Sequence, residues 1–385
     1  MIGLSSPQPL VGAKTIIKRI CLRLKRKSLW YSFGEFSLRR RDFPVRLLRG
    51  THPRLNTSST SAARVARNCD RRQEKALSFI AVDLGGSHAD CALVQDGAVL
   101  AKTSVPIRVC NLLEPLLAEI ASASRRLDLA SAQGIGFGFP GLVDAPRCRV
   151  SSTSGKFIDA PDLDLAAWAQ AELGLPLRLE NDARLALLGE CYAGAARGET
   201  DVVMFTLGTG IGGVAMIGGR LLRGKHGQAG VLAGHSPVNF QGRRCSCGAL
   251  GCAESEASGW ALPLVCQAWP GFSSSALAAQ ECNFENLFAA AEAGDPVALA
   301  IRDRCMSAWG AAAVAAIHAF DPEVLVYGGG VMKSAATIVP FIQSYVDRYA
   351  WTPWGKVRVC PALRGSDAAL LGVVPLFSQE FPLVR

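Results

Sequence analysis

One histidine and three cysteines constrain the fold of this chain more than any other feature. His235, Cys245, Cys247 and Cys252 are separated by ten, two and five positions. Three cysteines and one histidine fill the four tetrahedral positions around Zn²⁺ and leave none open for water or substrate. The alternatives are a pair of disulfides or free buried thiols, but Cys245 and Cys247 are too close to each other to pair without strain. The spacing therefore predicts a structural zinc ion that holds a loop.

Length and composition indicate a large globular protein. The chain has 385 residues, of which 49% are hydrophobic, and this is enough to bury a large core divided between two lobes. It contains no run of about 18 apolar residues, so the sequence predicts no membrane span. Thirteen cysteines without a secretory signal favour a reducing compartment, and we predict a cytoplasmic location.

The net charge of +9 is unevenly distributed along the chain. Residues 1–75 hold 18 lysines and arginines against four acidic residues, a balance of +14, so the remainder carries −5. The basic segment is rich in arginine and serine and shows no sustained helical or strand period. We predict a disordered extension, or upstream sequence translated from a misplaced start. A transit peptide shares this composition and is an alternative.

Strands that alternate with helices predict an α/β architecture. Residues 76–195 are predicted to form a smaller lobe, and residues 196–385 a larger lobe that carries the zinc loop. In the smaller lobe we predict strands at 78–83, 90–94 and 134–139 and helices at 111–127 and 183–192. In the larger lobe we predict strands at 202–207, 213–217 and 324–327 and a long helix at 296–320.

Two segments fit the pattern GxGxxG, but neither is predicted to bind a dinucleotide. In residues 136–141 a proline stands where a helix would have to begin, and residues 208–213 lead into a predicted hairpin. A dinucleotide site requires a helix that opens at the glycines. The sequence also contains no GxxxxGK[ST] segment, which excludes a Walker-type phosphate loop.

Two glycine-rich segments, the second of which overlaps residues 208–213, are nevertheless suited to bind phosphate. The first reads DLGGS at residues 83–87, and the second reads TLGTG at residues 206–210. Glycines let backbone N–H groups approach phosphate oxygens, and Ser87 and Thr209 add hydroxyl donors. Asp83, at the end of a strand, is suited to hold Mg²⁺ through water. The alternative is that the glycines of each segment make only a turn.

Seven segments resemble, in the same order, the motifs of the ROK family, which comprises sugar kinases and sugar-responsive repressors. They are VDLGGSHADCALV (82–94), GIGFGFPGLVD (134–144), ENDARLALLGE (180–190), TLGTGIGG (206–213), CSCGALGCAESEASGWAL (245–262), VLVYGGGV (324–331) and GSDAALLGV (365–373). Agreement in order and content over residues ~78–380 makes chance a poor explanation.

The resemblance implies a fold and a set of site residues. The fold is the actin-like ATPase (ribonuclease H-like) fold, with two lobes around a nucleotide and sugar cleft. The catalytic residue is Asp182, as the general base that takes the proton of the sugar hydroxyl; read from the residues alone, Asn181 or Asp182 could simply cap a helix. The implied sugar-binding residues are Asn181, Glu254, His235 and Gly155. The implied nucleotide- and phosphate-binding residues are Asp83, Gly85, Gly86, Ser87, Thr209, Gly210, Gly329 and Gly330.

The same resemblance implies an ATP-dependent kinase for a hexose or N-acetylhexosamine, acting at the 6-hydroxyl with Mg²⁺ on ATP and a structural Zn²⁺. It also implies a homo-oligomer, a dimer or tetramer, with nucleic acid an unlikely partner. The alternatives are a sugar-responsive transcriptional regulator and a catalytically idle sugar-binding protein. We find no helix-turn-helix pattern in residues 1–75. Two positions depart from the family: His88 replaces a lysine, and Leu232 replaces a glutamate three residues before the zinc histidine.

Overall fold

The structure is a computed structural model that describes residues 77–108, 111–153 and 155–378. The predictions made for residues 1–75 lie outside the described residues. Within the described ranges, no helix has both the length and the apolar character needed to cross a membrane.

The first sheet has five strands in the order β3-β2-β1-β4-β7. They are β1 (Ser78–Leu84), β2 (His88–Gln95), β3 (Ala98–Pro106), β4 (Ala132–Phe139) and β7 (Leu177–Asn181). β1, β4 and β7 run parallel, whereas β2 and β3 form the predicted antiparallel hairpin. Because parallel strands end at the same edge of a sheet, the ends of β1 and β7 bring Asp83 and Asp182 to one edge. A separate antiparallel pair, β5 (Gly141–Asp144) and β6 (Arg149–Thr153), follows β4.

The second sheet repeats this arrangement in the order β10-β9-β8-β11-β12. Its strands are β8 (Val202–Leu207), β9 (Ile211–Ile217), β10 (Arg220–Leu221), β11 (Val324–Gly328) and β12 (Arg358–Pro361). β8, β11 and β12 run parallel, and β9 and β10 form the predicted hairpin. The second predicted phosphate loop (residues 206–210) begins at the end of β8 and the glycines at 329–330 follow β11, so both lie at the same edge of this sheet.

Helices cover both faces of each sheet. They are α1 (Glu114–Arg125), α2 (Leu165–Leu173), α3 (Asp182–Ala193), α4 (Ala253–Ala257), α5 (Leu262–Gln267), α6 (Phe284–Glu292), α7 (Pro296–Phe320), α8 (Ala335–Tyr349), α9 (Ala368–Leu371) and α10 (Val373–Ser378). α1 and α2 share one core with the first sheet, and α4 to α8 share another with the second sheet. α3, α9 and α10 lie in a third core that contains residues of both sheets.

The alternation of side chains along β8 explains how one sheet serves two cores. Val203 and Phe205 face the core that contains α7, whereas Val202 and Met204 face the core shared with the first sheet. A strand covered on both faces needs apolar residues at every position, as VVMFTL nearly provides.

The closing helices α9 and α10 return to the first sheet. They pack mainly on α3 and also contact β1, and α10 contacts β4. These helices come from the segment assigned to the larger lobe, although their contacts are with the smaller one. The predicted boundary between the two lobes, at residues 195 and 196, otherwise stays a prediction.

Most predicted elements lie within two residues of the observed ones, but the helix predicted at 111–127 is shorter. It begins at Glu114, because Asp159 accepts hydrogen bonds from the N–H groups of Leu113 at 2.7 Å and Glu114 at 2.9 Å. A carboxylate at a helix N-terminus satisfies N–H groups that have no partner within the helix. The carboxylate that fixes this helix start therefore comes from a distant segment.

Candidate active site and zinc loop

The four predicted zinc ligands converge on one point. The ligand atoms of His235, Cys245, Cys247 and Cys252 all lie within 4.8 Å of one another. The Sγ atoms of Cys247 and Cys252 are 3.7 Å apart, and Cys245 Sγ is 3.4 Å from His235 Nδ1. Tetrahedral zinc with usual bond lengths requires about 3.8 Å between two sulfurs and about 3.6 Å between sulfur and nitrogen. The donor set and its spacing therefore fit Zn²⁺, and all three cysteines are free thiols.

The backbone around the cysteines forms a tight turn. Cys245 N–H donates to Ala249 O at 2.8 Å, and Gly248 N–H donates to Cys245 O at 2.9 Å. Cys252 lies directly before α4, whose first turn contains Glu254. The zinc ligands are thus continuous with a residue predicted to bind sugar.

The first phosphate loop is a tight turn between β1 and β2. Gly85 N–H donates to His88 O at 3.0 Å. Ser87 Oγ lies 3.0 Å from His88 Nδ1, and His88 Nε2 lies 3.6 Å from Asp90 Oδ1. The histidine at the family's lysine position therefore turns back towards β2. Its ring nitrogen lies within hydrogen-bond distance of the Ser87 hydroxyl that was predicted to donate to phosphate.

Asn181, and not Asp182, caps α3. Asn181 Oδ1 accepts a hydrogen bond from Arg184 N–H at 3.2 Å, and its amide donates to Gly141 O at 3.1 Å. Asp182 is the first residue of α3, and its Oδ1 accepts from Ala183 N–H and from Asn181 Nδ2, each at 2.8 Å. Both bonds fall on one oxygen of Asp182. Asn181 is buried with internal partners, so its predicted contact with sugar stays a prediction.

Asp83 and Asp182 are two carboxyl groups whose pKa values are raised towards neutral pH. Burial, reinforced by the charge of Asp182, raises the pKa of Asp83 to about 7. Burial raises the pKa of Asp182 to about 6, although hydrogen bonds from Ala183 and Asn181 oppose the shift. Two partly buried carboxylates, one of which raises the pKa of the other, are suited to a divalent cation, which prefers carboxylate and water oxygens. The predicted role of Asp83 towards Mg²⁺ fits this pair.

The second phosphate loop borders a cavity of about 580 Å³. Thr209 and Gly330, both predicted to bind nucleotide, line this cavity together with Trp260 and Phe288. Gly259 N–H donates to Gly208 O at 2.9 Å and Trp260 N–H donates to Thr209 O at 3.0 Å, which holds the loop against the segment after α4. The cavity has the size of a small-molecule site, with apolar walls and a few polar groups.

Two glycines allow the close contacts around this loop. A side chain at Gly329, which has a φ of 93°, would place its Cβ 2.3 Å from Leu207 O. A Cβ at Gly210 would lie 2.8 Å from Glu254 Oε2. Only glycine fits at position 329, whereas a side chain at position 210 would displace the carboxylate of Glu254.

Glu254 contacts the second phosphate loop. Its Oε2 accepts a hydrogen bond from Ile211 N–H at 3.0 Å, and its Oε1 accepts one from Trp260 Nε1 at 3.2 Å. These partners make it a link between the zinc loop and the cavity wall. Its predicted contact with the sugar stays a prediction. Gly155, the remaining predicted sugar residue, is exposed with a φ of 87°.

A buried charge network connects the segment that contains Asp182 to the loop that leads to His235. Arg184 on α3 is fully buried, and its Nη2 donates to the carbonyl oxygens of Leu222, Gly227 and Ala229 at 3.1, 2.9 and 3.0 Å. Glu180 is fully buried as well; it lies 3.4 Å from Arg184 Nη1 and accepts from Arg223 Nε at 2.7 Å. The network connects the residues beside Asp182 with residues 222–229.

We expect Arg184→Met to lower the free energy of unfolding by about 3 kcal/mol, because it removes one of the two arginines that pair with buried Glu180 and leaves three carbonyl oxygens without their donor. The loss should also raise the KM for sugar more than the KM for ATP, since residues 222–229 precede His235. Denaturant titration and steady-state kinetics measure the two effects. Glu190→Gln is the matched control, because Glu190 is also buried on α3 but binds the N–H groups of Leu363 and Arg364. Equal shifts of both KM values in both variants would contradict the positioning role.

Three residues of this region escaped the sequence analysis: Lys156, Arg184 and Trp260. The sequence could have indicated Arg184, because this charged residue lies among the apolar residues of DARLALLGECYA. Trp260 lies inside a segment already matched to the family, and its contact with Glu254 needed the structure. Lys156 carried no signal in the sequence.

Comparison with known proteins agrees with this geometry. The profile of the ROK family matches residues 79–380. The chain belongs to the ROK family. It is 33% identical to a glucokinase from Thermotoga maritima over 313 residues, which cover 79% of this chain and 98% of the relative.

Solved structures of two ROK proteins have the same fold. A ROK family glucokinase from Streptomyces griseus, in complex with glucose and AMPPNP, superposes with a TM-score of 0.63 at 30% identity, covering 78% of this chain and 98% of that one. A ROK family transcriptional regulator, a homologue of the E. coli MLC protein, superposes with a TM-score of 0.68 at 26% identity, covering 77% of this chain and 76% of that one. The predicted actin-like fold is therefore confirmed.

Proposed function

We propose that this ROK-family chain is an ATP-dependent sugar kinase that phosphorylates a hexose or an N-acetylhexosamine at its 6-hydroxyl. The observation that carries the proposal is the pair Asp83 and Asp182 at the ends of two parallel strands, with the helix cap supplied by Asn181. Asp182 therefore does not cap the helix, and its Oδ2 is proposed to accept the hydrogen of the substrate hydroxyl. The similarity to a Thermotoga maritima glucokinase supports the same activity.

The site residues divide the work of phosphoryl transfer. Transfer passes through a loose transition state, so positioning and charge stabilisation contribute most. Thr209 and Gly330 line the cavity proposed for the nucleotide, and the glycines of both phosphate loops present N–H groups. Mg²⁺, when bound with ATP, neutralises charge on the phosphates, and Asp83 is the residue proposed to hold it. Asp182 accepts the proton of the attacking hydroxyl.

The zinc loop is proposed to shape the sugar site. His235 directs Nδ1 at the cysteines, which leaves Nε2 to donate towards the sugar or a carboxylate. In this way a closed structural zinc site would set sugar affinity without taking part in the chemistry. We also retain a homo-oligomeric state and a cytoplasmic location as proposals.

The proposed activity is tested by coupled ADP release across glucose, mannose, fructose, N-acetylglucosamine and N-acetylmannosamine. We expect sugar-dependent ADP release with at least one of these, and phosphorylation at the 6-hydroxyl by NMR of the product. A purified protein that releases no ADP with any of them, at saturating Mg·ATP, would argue against the kinase.

Leu232 predicts a preference among these sugars. It is 45% exposed and lies at the start of the turn that carries His235. Family kinases have a glutamate there for hydroxyls at the anomeric end, so one charged acceptor is missing. A hydrogen bond to a charged group contributes about 1.5–3 kcal/mol, or ~10–150-fold in affinity. We therefore expect weak binding of glucose and a preference for a less polar group near C1 or C2.

Leu232→Glu should lower the KM for glucose by ~10–150-fold and that for N-acetylhexosamines by less. Leu264→Glu is the matched control, because Leu264 is 49% exposed on α5 and lies outside the proposed site. Tight glucose binding by the wild type, with no gain in Leu232→Glu, would show that Leu232 does not line the sugar site.

The second candidate function is a sugar-responsive regulator, which the likeness to the ROK transcriptional regulator favours. It is distinguished by binding of the full chain to a specific DNA site with a steep salt dependence. Weak, sequence-independent binding would show only that residues 1–75 are basic.

A further inference from the structure

We propose that Lys156 binds the transferred phosphoryl group and supplies the cation that the first phosphate loop lacks. The inference rests on the proposed kinase function and adds a catalytic residue to it. Lys156 Nζ donates to Gly86 O at 2.8 Å, so a side chain from the segment after β6 reaches the loop between β1 and β2.

The loop itself offers no strong cation to phosphate. It consists of Gly85, Gly86, Ser87 and His88, and the ring of His88 turns towards Ser87 and Asp90. The neighbouring Lys102 lies 2.8 Å from Asp90 and 3.1 Å from Asp367, so carboxylates already neutralise its charge. Developing negative charge on the phosphoryl oxygens nevertheless requires a positioned cation.

Lys156 differs from these groups in its partner. Its recorded contact in the described part of the chain is a carbonyl oxygen, which leaves the ammonium charge uncompensated. An ammonium carries three donors, so Lys156 can keep the bond to Gly86 while it donates to a phosphate oxygen. The side chain is exposed, as a group that meets a substrate must be.

The backbone holds Lys156 in place from both sides. Gly155 has a φ of 87° and Phe157 a φ of 54°, a conformation that bulky residues adopt rarely. Phe157 is 1% exposed and contacts the ring of Phe139, with a centroid distance of 6.1 Å. Ile158 N–H donates to Asn111 O at 3.0 Å. The buried ring and this bond anchor the segment, and Lys156 points outward from it.

The position of Lys156 in the chain also fits the reaction path. It follows Gly155, a proposed sugar residue, and touches Gly86, a proposed phosphate residue.

During transfer the sugar hydroxyl oxygen forms a bond to Pγ, and the bond from Pγ to the bridging β–γ oxygen breaks with its electron pair leaving on ADP. The hydroxyl proton passes to Asp182. Lys156 forms no covalent bond and neutralises the oxygens of the group in transit.

Lys156→Met tests the inference in the full chain. We expect kcat to fall by ~10²–10³-fold, with the KM for sugar changed little. The Kd for AMPPNP should rise by ~10-fold or more and the Kd for ADP by less than about twofold, because only AMPPNP has a γ-phosphoryl group. Lys156→Arg should recover part of both losses. Lys356→Met is the matched control, since Lys356 pairs with Asp347 on the surface.

Three results would overturn the inference. The first is turnover of Lys156→Met within about threefold of the wild type. The second is an equal loss of ADP and AMPPNP affinity together with a lower Tm, which would make the lysine a structural support of the loop. The third is failure of Lys156→Arg to recover either loss. If the wild type releases no ADP with any sugar, the proposed function fails, and the two Kd values still decide the role of Lys156.

Discussion

Asp182→Asn is expected to lower kcat by ~10²–10⁴-fold while sugar binding and the fold remain nearly intact. The asparagine oxygen can still accept the hydrogen bonds from Ala183 and Asn181, which both fall on Oδ1 of Asp182. The substitution removes the carboxylate proposed to take the hydroxyl proton and leaves the helix cap on Asn181. Steady-state kinetics and sugar binding by calorimetry measure the two effects.

The thermal stability of Asp182→Asn distinguishes a catalytic role of Asp182 from a helix-capping role. Burial raises the pKa of Asp182 to about 6, above its unfolded value, so the ionised carboxylate destabilises the folded state at neutral pH. Asp182→Asn should therefore leave the Tm unchanged or raise it. Asn181→Ala, which removes the observed cap, should lower stability by about 1 kcal/mol. Early melting of Asp182→Asn with normal turnover in its folded fraction would show that Asp182 is structural.

The raised pKa of Asp182 also predicts how activity decreases at acidic pH. A general base must be deprotonated, so kcat should fall as the pH decreases through about 6, the pKa to which burial raises Asp182. The charge of Asp182 also raises the pKa of Asp83, so the decrease in activity reports the pair. A pH–rate profile at saturating Mg·ATP measures this decrease, and the residual activity of Asp182→Asn should lack it.

Cys247→Ser is expected to abolish zinc binding and to weaken sugar binding. The purified wild type should contain about one zinc per chain, because the four ligands close a single tetrahedral site. Cys247 is exposed, whereas Cys245 and Cys252 are buried, so its replacement leaves no cavity. Without the metal the turn that carries His235 loses its anchor, and we expect the KM for sugar to rise by ~10–100-fold.

Metal analysis by mass spectrometry and sugar kinetics on the same sample test this prediction. Cys360→Ser is the matched control, because Cys360 lies on β12, outside the cluster, and should retain zinc and activity. Normal phosphorylation by a zinc-free protein would contradict the link between the metal and the sugar site.

Residue spacing and periodicity were enough to predict the metal-ligand cluster and the bounds of the longest predicted helix. The intervals between His235, Cys245, Cys247 and Cys252 identified a cluster whose atoms do meet. The helix predicted at 296–320 has the same bounds in the structure, where Asp295 accepts from the N–H groups of Val297 and Ala298 and Asp321, with a φ of 50°, follows the last turn. Such signals act between neighbours in sequence, so the sequence contains them directly.

Tertiary structure decided which partner each polar group has. The motif ENDA left two candidates for the cap, and the position of Gly141 beside the amide of Asn181 fixed the choice. Glu254 was assigned to sugar, whereas its recorded partners are Ile211, 43 positions away, and Trp260. Lys156 and Gly86 are separated by 70 positions. Contacts at these separations depend on strand order and on the packing of helices between the two sheets, which no local pattern of residues specifies.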